Sequence, residues 1–298
     1  MGRQGNYGTS GLSGISAEHK ELPELPEHDE TLVTVIDQNR RRWDQKLTIV
    51  APHVGKAYCF DDFERSLRSM PVDEAHIWLY DNSPVGDFSE KLRRLAESLP
   101  SFTLIRDLNK PLSIENASDP VLLAARCSQV YSGLYDRVLQ ASPGQLILNL
   151  EDDIGATGRD FEFLTRALDS YPQLGAVISD CRCRRTKMIC GIEDSPIACN
   201  FKETRRIGGN HEVEIEEERV RPQPAGVQCI GGGHHGFWLA RREAVEAVGM
   251  KDDPQLNIVG HDYQFGYRLQ RDTEFLFGIE WSSRVRHFLL ENGQKTSI

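Results

Sequence analysis

Three consecutive acids, Glu151, Asp152 and Asp153, directly follow a run of aliphatic residues, LILNL at 146–150. A buried strand that ends in clustered negative charge is costly unless a cation or a cationic ligand neutralises the carboxylates. Mg²⁺ typically binds one or two protein carboxylates and completes its coordination shell with water and phosphate oxygens. The cluster therefore suggests a metal-bound diphosphate, although the same acids can also open a solvated loop or cap a helix that begins near Asp160.

The chain around these acids alternates between aliphatic and amphipathic stretches. Aliphatic runs predict strands at 46–53, 74–83, 101–107 and 144–150. Each run is followed by a segment with helical spacing, which predicts a mostly parallel sheet covered by helices on both faces. Because ligands of such sheets bind beyond the carboxyl ends of the strands, we expect one ligand-binding rim formed by 52–56, 81–83 and 151–153.

The N-terminal region lacks this regular pattern. Residues 1–28 are rich in Gly, Ser, Pro and charge and have no apolar periodicity, which predicts a flexible tail. Residues 29–45 predict a short helix, because Leu32, Val35 and Ile36 have helical spacing. The ordered domain is therefore expected to begin near residue 29.

The second half combines regular elements with one irregular segment. The pattern predicts strands at 174–181 and 236–240 and a helix at 260–272. Between the two strands, residues 192–226 are polar, charged and punctuated by Gly and Pro. This composition predicts a hairpin or a mobile insertion rather than part of the core.

Composition excludes several classes of protein. The 35 basic and 45 acidic residues give a formal net charge of −10, which disfavours a broad nucleic-acid-binding surface. No apolar run approaches the ~20 residues that span a bilayer, and the N-terminus lacks the apolar segment of a secretory signal. The sequence therefore predicts a cytoplasmic protein without membrane insertion. Its seven cysteines, an odd number, are expected to be mostly reduced thiols.

The order of these motifs resembles that of the GT-A class of nucleotide-sugar glycosyltransferases, in particular the family 2 type. The segments LTIVAPHVGKAYCFDDFERSL, WLYDNSP and LNLEDDI are similar to that family's first strand, second strand and D-x-D region. The later segments GGGHHGFWLARREAVEAVGM, IVGHDYQFGYRLQ and RVRHF are similar to its acceptor and C-terminal regions. The resemblance implies a GT-A, Rossmann-like α/β domain at 29–298, with a nucleotide-sugar half at 46–160 and an acceptor half at 161–298.

On the donor side, the resemblance implies nucleotide-sugar contacts from Pro52, Asp81, Arg126 and Asp152. Asp81 takes the position of the acid that contacts the nucleobase, and Arg126 stands where the family often has an arginine that reaches the nucleotide. Each has an ordinary structural alternative, since Asp81 can form an Asx turn and Arg126 can pair with a carboxylate of its own helix. A UDP-sugar is the favoured donor, with a GDP-sugar as the alternative.

For the metal and the catalytic base, the resemblance implies a bound Mn²⁺ or Mg²⁺ and a carboxylate that activates the acceptor. Asp153 matches the acid that binds the metal directly, and His287 the histidine that can complete the metal shell. Glu151 occupies the first place of the acidic run, so the strict D-x-D spelling is absent. Asp262 matches the catalytic base, while His261 replaces the glutamate that usually precedes it. This arrangement implies single displacement with inversion.

The acceptor side is the least specific part of the resemblance. His234, His235, Trp238 and His261 are candidates to line the acceptor pocket, although the first two can flank a turn and Trp238 can belong to the core. A saccharide, a protein, a small molecule or a hydroxylated DNA base could each receive the sugar. Two rival functions stay open, a sugar-phosphate nucleotidyltransferase and a non-catalytic, cysteine-clustered module in which residues 181–229 bind zinc or a partner.

Overall fold

The computed structural model describes residues 30–38, 45–53, 56–83, 86–109, 120–142, 144–181, 198–205, 213–251, 253, 256, 261–291 and 294–297. The helices are α1 (Phe60–Ser69), α2 (Asp87–Glu97), α3 (Pro120–Ala141), α4 (Gly158–Ser170), α5 (Arg242–Val248) and α6 (His261–Asp272). The first seven strands are β1 (Val33–Gln38), β2 (Leu47–His53), β3 (Ala75–Asp81), β4 (Phe102–Asp107), β5 (Leu146–Leu150), β6 (Ile154–Gly155) and β7 (Leu174–Cys181). The other strands are β8 (Ala198–Arg205), β9 (Val213–Arg219), β10 (Val227–Cys229), β11 (Gly232–Gly233), β12 (Phe237–Arg241), β13 (Leu276–Glu291) and β14 (Gln294–Ser297).

One large sheet organises the described residues. Its strand order is β1-β4-β3-β2-β5-β12-β7-β13-β10, with β6 and β14 paired to β13. Strands β4, β3, β2 and β5 are parallel, and β7 and β13 run in the same direction because β12 is antiparallel to both β5 and β7. The predicted α/β fold, a mostly parallel sheet flanked by helices, is therefore confirmed.

Helices pack on both faces of this sheet. Every residue of β2 and of β3 is buried, as expected for strands covered on two sides. One hydrophobic core includes Phe63 of α1, Leu95 of α2 and Leu164 of α4. A second core includes Tyr135 of α3 and the apolar side chains of α5 and α6, such as Val245 and Phe265. Each fully buried Leu, Val or Phe side chain stabilises the fold by roughly 1.5–3 kcal/mol, which holds the strand ends in fixed positions.

The helix predicted at 29–45 is wrong. A 3-10 turn at Glu30–Leu32 leads into β1, which pairs antiparallel with β4, and Val35 lies opposite Ile105 in the register. The sequence VTVI is β-branched throughout, and such side chains favour the pleated surface of a strand. The helical spacing was misleading, because it assumes that the apolar side chains share a buried face. Val35 and Ile36 are instead exposed at the edge of the sheet.

A small second sheet is formed by two strands of the irregular segment, β8 and β9, together with β11 that follows it. Its order is β11-β8-β9, and β8 pairs antiparallel with β9. The segment predicted as a hairpin or a mobile insertion thus contains a pair of antiparallel strands. The predicted tail at 1–28 and most of the cysteine-rich stretch, 182–197, lie outside the described residues. None of the helices that the structure describes is both long enough and apolar enough to cross a membrane.

Candidate active site

Three parallel strands of the large sheet end at the same edge. Strand β2 ends at His53, β3 at Asp81 and β5 at Leu150, directly before the acidic cluster. Strand β12 runs the other way beside β5, and Phe237 at its start pairs with Leu150. The residues that precede β12, 234–236, therefore lie at this edge as well, which we call the rim.

Strand β13 is the fifth strand that reaches the rim. Its pairing with β7 shifts register partway along, and beyond the shift it pairs with the short strand β6. His287 lies opposite Ile154, and the backbone N–H of Phe288 donates to the carbonyl of Asp153 at 2.8 Å. The histidine is thereby fixed beside the acidic cluster, although more than a hundred residues separate the two in the chain.

Helix α6 packs closely against Gly231 and Gly232, which come shortly before the rim residues 234–236 in the chain. A Cβ atom placed on Gly266 would lie 2.6 Å from the carbonyl oxygen of Gly231 and 2.8 Å from the Cα atom of Gly232. Such distances are shorter than any van der Waals contact, so the two backbones approach this closely only because the glycines lack side chains. The contact sets the position of His261 and Asp262 in the first turn of the helix.

Lys56 forms ion pairs with two of the acids. Its Nζ atom donates to Asp153 Oδ2 at 2.7 Å and lies 3.1 Å from Asp152 Oδ1. Burial opposes the positive charge, but Asp152, Asp153 and Glu151 outweigh it and hold the pKa of Lys56 well above its usual value. The ammonium therefore stays protonated between the carboxylates.

Asp153 lies at the centre of the cluster. His287 Nε2 is 3.0 Å from the same oxygen that accepts from Lys56. Burial opposes ionisation of the carboxyl group, but Lys56 and His287 together hold the pKa of Asp153 below its usual value. Its other oxygen, Oδ1, is buried and accepts no hydrogen bond from the described residues. The side chain thus has one engaged oxygen and one available oxygen.

Glu151 contacts a different set of partners. Tyr131 of α3 donates its hydroxyl to Glu151 Oε1 at 2.7 Å, and His234 Nε2 lies 3.5 Å from Glu151 Oε2. The backbone N–H of Glu151 donates to the carbonyl of Gly236 at 2.9 Å. Tyr131 also stacks on His261, with 4.4 Å between the ring centroids. Tyr131 therefore connects the acidic cluster to the start of α6.

Four histidines at the rim are held in the neutral form. Burial lowers the pKa of His53, His234 and His235, and it lowers the pKa of His261 to about 3 with a further contribution from the charge of His234. At neutral pH these rings add no positive charge. The carboxylates of Glu151, Asp152 and Asp153 are therefore opposed by the ammonium of Lys56 and by any charge on His287.

Asp81 has its own cationic partner. Arg106 of β4 pairs with Asp81 Oδ2, and the backbone N–H of Ser83 donates to Asp81 Oδ1 at 2.9 Å. His53 lies between this pair and the acidic cluster, since Asp81 is its register partner and its Nδ1 is 3.9 Å from Asp152. Asp81 thus forms an Asx-type turn and also belongs to the rim.

The structure brings most of the predicted residues together at the rim: Glu151, Asp152, Asp153, His234, His235, His261 and His287. Pro52 is buried in β2 at a point where only β3 still pairs with that strand, so its missing N–H is tolerated. Asp262 is partly buried in the first turn of α6, and its carboxylate accepts the N–H of Tyr263 at 3.0 Å.

Two predicted residues have a different status. Trp238 is fully buried and packs between Tyr135 and His235, so its ring has no surface for a ligand. Arg126 belongs to α3, but its side chain lies outside what the structure describes. Sequence reasoning placed Lys56 on the rim but assigned it no role.

The donor chemistry of the cluster suits a divalent cation. Asp153 Oδ1 offers one buried, unpaired oxygen beside His287, and hard cations prefer such oxygen ligands. Within the part of the chain that the structure describes, no three His, Cys, Asp or Glu side chains form a ready metal site. The ammonium of Lys56 lies between the carboxylates of Asp152 and Asp153 and supplies positive charge at this point. The cluster therefore has the charge and the oxygen ligands that suit a cation.

Comparisons with known proteins find likeness among solved structures only. No family model and no curated protein matches the chain. Among solved structures, the chain resembles the mannosyltransferase PcManGT from Pyrobaculum calidifontis in complex with GDP-Man and Mn²⁺, with 13% identity and a TM-score of 0.47. The match covers 79% of this chain and 56% of that protein, so this chain spans a little over half of its length. The likeness is too distant to carry a function.

Proposed function

We propose that this protein is a glycosyltransferase that moves a sugar from a nucleoside-diphosphate sugar to an acceptor hydroxyl group. The observation that carries the proposal is the cluster of Glu151, Asp152 and Asp153 at the carboxyl edge of the parallel strands, with Lys56 and His287 on Asp153. An edge of this kind is the usual ligand site of a doubly wound sheet. A diphosphate brings further negative charge, which such a cluster can hold only through cations.

On the donor side, Asp81 and Pro52 form the part of the rim that would contact the nucleoside. The Arg106 ion pair and the Ser83 N–H hold the Asp81 carboxylate in a fixed orientation, so it can accept a hydrogen bond from a nucleobase. Asp152 lies between this region and Asp153. Its carboxylate would accept a hydrogen bond from a ribose hydroxyl. The proposed donor is a UDP-sugar, with a GDP-sugar as the alternative.

The residues that would hold Mn²⁺ or Mg²⁺ are Asp153, Glu151 and His287. When bound, such an ion supplies a Lewis acid that stabilises negative charge on the departing diphosphate. His287 is kept beside Asp153 by the pairing of β13 with β6. The neutral His234 adds no repulsion to the incoming cation, because burial lowers its pKa.

On the acceptor side, Asp262 is the proposed catalytic base. It would take the proton of the acceptor hydroxyl as that oxygen attacks the anomeric carbon, while the bond from the sugar to the diphosphate breaks. The outcome is a single displacement with inversion. His261, His234 and His235 would line the acceptor pocket, and we leave out Trp238 because it is fully buried.

A thermal-shift screen of UDP and GDP, with Mn²⁺ or with EDTA, tests this proposal. A nucleotide present at 100 times its Kd should stabilise the protein by about 2.7 kcal/mol.

Asp153→Asn should remove the Mn²⁺-dependent part of the thermal shift, because the remaining oxygen and amide bind a cation weakly. Asp262→Asn should keep the thermal shift and abolish sugar transfer from the donor to water or to an acceptor. Mass spectrometry of the reaction products measures this transfer. The absence of a shift with every nucleotide would refute the proposal.

A further inference from the structure

We propose that Lys56 is an exchangeable counter-ion: its ammonium holds the acidic cluster together until a divalent cation binds, and then turns to the diphosphate of the donor. The proposal rests on the proposed function, since it assigns a further residue to the same site. Lys56 has three properties that such a role needs, namely a shared acceptor oxygen, an anchored backbone and a mobile charge.

The shared acceptor is Asp153 Oδ2. This oxygen accepts from Lys56 at 2.7 Å, and Lys56 also lies 3.1 Å from Asp152, so its ammonium is inserted between two carboxylates. A divalent cation bound to Asp153 would lie within a few ångströms of the ammonium, where like charges repel strongly. Cation and ammonium therefore compete for Asp153.

The backbone of Lys56 is held by hydrogen bonds that do not involve its side chain. The thiol of Cys59 donates to the carbonyl of Lys56 at 3.2 Å and to the carbonyl of Asp152 at 3.0 Å. The backbone N–H of Cys59 donates to the Lys56 carbonyl as well, at 3.2 Å. These bonds would keep the main chain at the rim when the side chain moves, and the side chain is 19% exposed.

The charge of the site explains why the ammonium would stay nearby after displacement. Glu151, Asp152 and Asp153 contribute three negative charges, and Lys56 offsets one of them. A divalent cation on these acids would offset two of the three charges and repel the ammonium, so the two negative charges of the diphosphate would become the stronger attraction for Lys56. The flexible four-carbon stem of lysine allows its ammonium to follow this charge without movement of the backbone.

The first experiment measures Mn²⁺ binding in the absence of nucleotide, by calorimetry and by electron paramagnetic resonance of free Mn²⁺. Lys56→Met should bind Mn²⁺ at least about tenfold more tightly than the wild type, because the competing charge is gone. Lys295→Met is the matched control, since it removes an exposed lysine that pairs with Asp62. Its Mn²⁺ affinity should equal that of the wild type.

The second experiment measures binding of UDP and GDP at saturating Mn²⁺. Lys56→Met should bind the preferred nucleotide at least about fivefold more weakly, because one charge on the diphosphate is lost, and Lys56→Arg should bind it nearly as tightly as the wild type. Should Lys56→Met fail to fold without metal, Lys56→Gln offers the same loss of charge with a hydrogen-bond donor retained.

The two proposals fail in different ways. Unchanged or weaker Mn²⁺ binding by Lys56→Met and Lys56→Gln overturns the counter-ion role, even if UDP or GDP still binds the wild type. Tighter Mn²⁺ binding with unchanged nucleotide binding shows competition without transfer of the ammonium, and overturns the second half of the proposal. If no nucleotide binds the wild type at all, the proposed function fails, whereas the Mn²⁺ measurement still reports on Lys56.

Discussion

Two buried carboxylates at the rim depend on cations from other elements. Asp81, 2% exposed in its side chain, pairs with Arg106, and Asp153, 6% exposed, pairs with Lys56. Removing one partner of a buried pair leaves an uncompensated charge in a poorly hydrated place, which typically costs more than the pair contributes. The same side chains therefore affect both the stability of the fold and the binding of charged ligands.

Replacing Arg106 with Met should lower the free energy of unfolding by about 3–5 kcal/mol, because Asp81 would stay buried without its partner. Chemical denaturation at pH 7 gives this value. Arg93→Met is the control, since Arg93 pairs with the exposed carboxylates of Glu90 and Glu97 and water screens such pairs. Equal unfolding midpoints for the two variants would show that the Asp81 pair is no more important than a surface pair.

His261 should make the protein less stable in acid. In the unfolded chain a histidine takes up a proton near pH 6.5, whereas burial lowers the pKa of His261 in the folded protein to about 3. The unfolded state binds more protons between these values, so stability falls as the pH drops from about 6.5 towards 3, by up to about 1.4 kcal/mol per pH unit. In His261→Phe, which keeps a ring against Tyr131, denaturation at a series of pH values should show a shallower decline. An identical decline would mean that His261 is protonated in the folded state.

At the scale of elements, the sequence could predict the strands that form the rim. The aliphatic runs of β2, β3 and β5 identify buried strands, and their carboxyl ends follow from the topology of parallel sheets. The acidic cluster was found in this way. The edge strand β1 was missed, because β4, its neighbour among the described strands, lies far away in the sequence and the local spacing fits a helix equally well.

Contacts between loops and helices were also beyond the sequence. The ion pair of Lys56 with Asp153 depends on the path of the chain after β2, which no periodicity encodes. The hydrogen bond from Tyr131 to Glu151 depends on how α3 is rotated on the sheet. A long helix with many apolar positions does not reveal which of its faces meets the rim. Polar side chains near strand ends were the available signal, and it was too weak to choose partners.

The glycine contact between α6 and β11 gives a prediction for one element. Gly266→Ala should destabilise the protein by about 1–3 kcal/mol, because the added methyl group would overlap backbone atoms of Gly231 and Gly232 that cannot move aside. Gly133→Ala is the matched control in another helix, α3, where nothing lies within 4 Å of the added group. It should be stabilising by up to about 1 kcal/mol, as alanine favours a helix more than glycine does. Thermal and chemical unfolding of both variants measures the difference.

At the scale of the whole molecule, the sheet is most strongly protected in its centre. Strands β2 and β3 are buried along their whole length, and the second core covers the opposite face at Trp238 and Trp281. Among the strands that the structure describes, β1 pairs with β4 alone, and most of its side chains are exposed. The centre of the sheet and its β1 edge therefore differ in how much buried apolar surface becomes exposed when they open.

Hydrogen exchange followed by mass spectrometry should resolve this difference. Peptides from β2 and β5 are expected to exchange only when the whole domain unfolds, while peptides from β1 should exchange at least about 100-fold faster through local opening. Adding Mn²⁺ and the preferred nucleotide should slow exchange at 151–153 and leave β1 unaffected. Equal rates for β1 and β2 would mean that the edge strand opens only together with the core.

The reversed direction of β12 decides which parts of the chain are useful for redesign. Because β12 runs against its neighbours, residues before Phe237 lie at the rim, whereas residues after Arg241 lie at the opposite edge of the sheet. A library that aims to change acceptor choice should therefore vary the segment that enters β12, at His234 and His235.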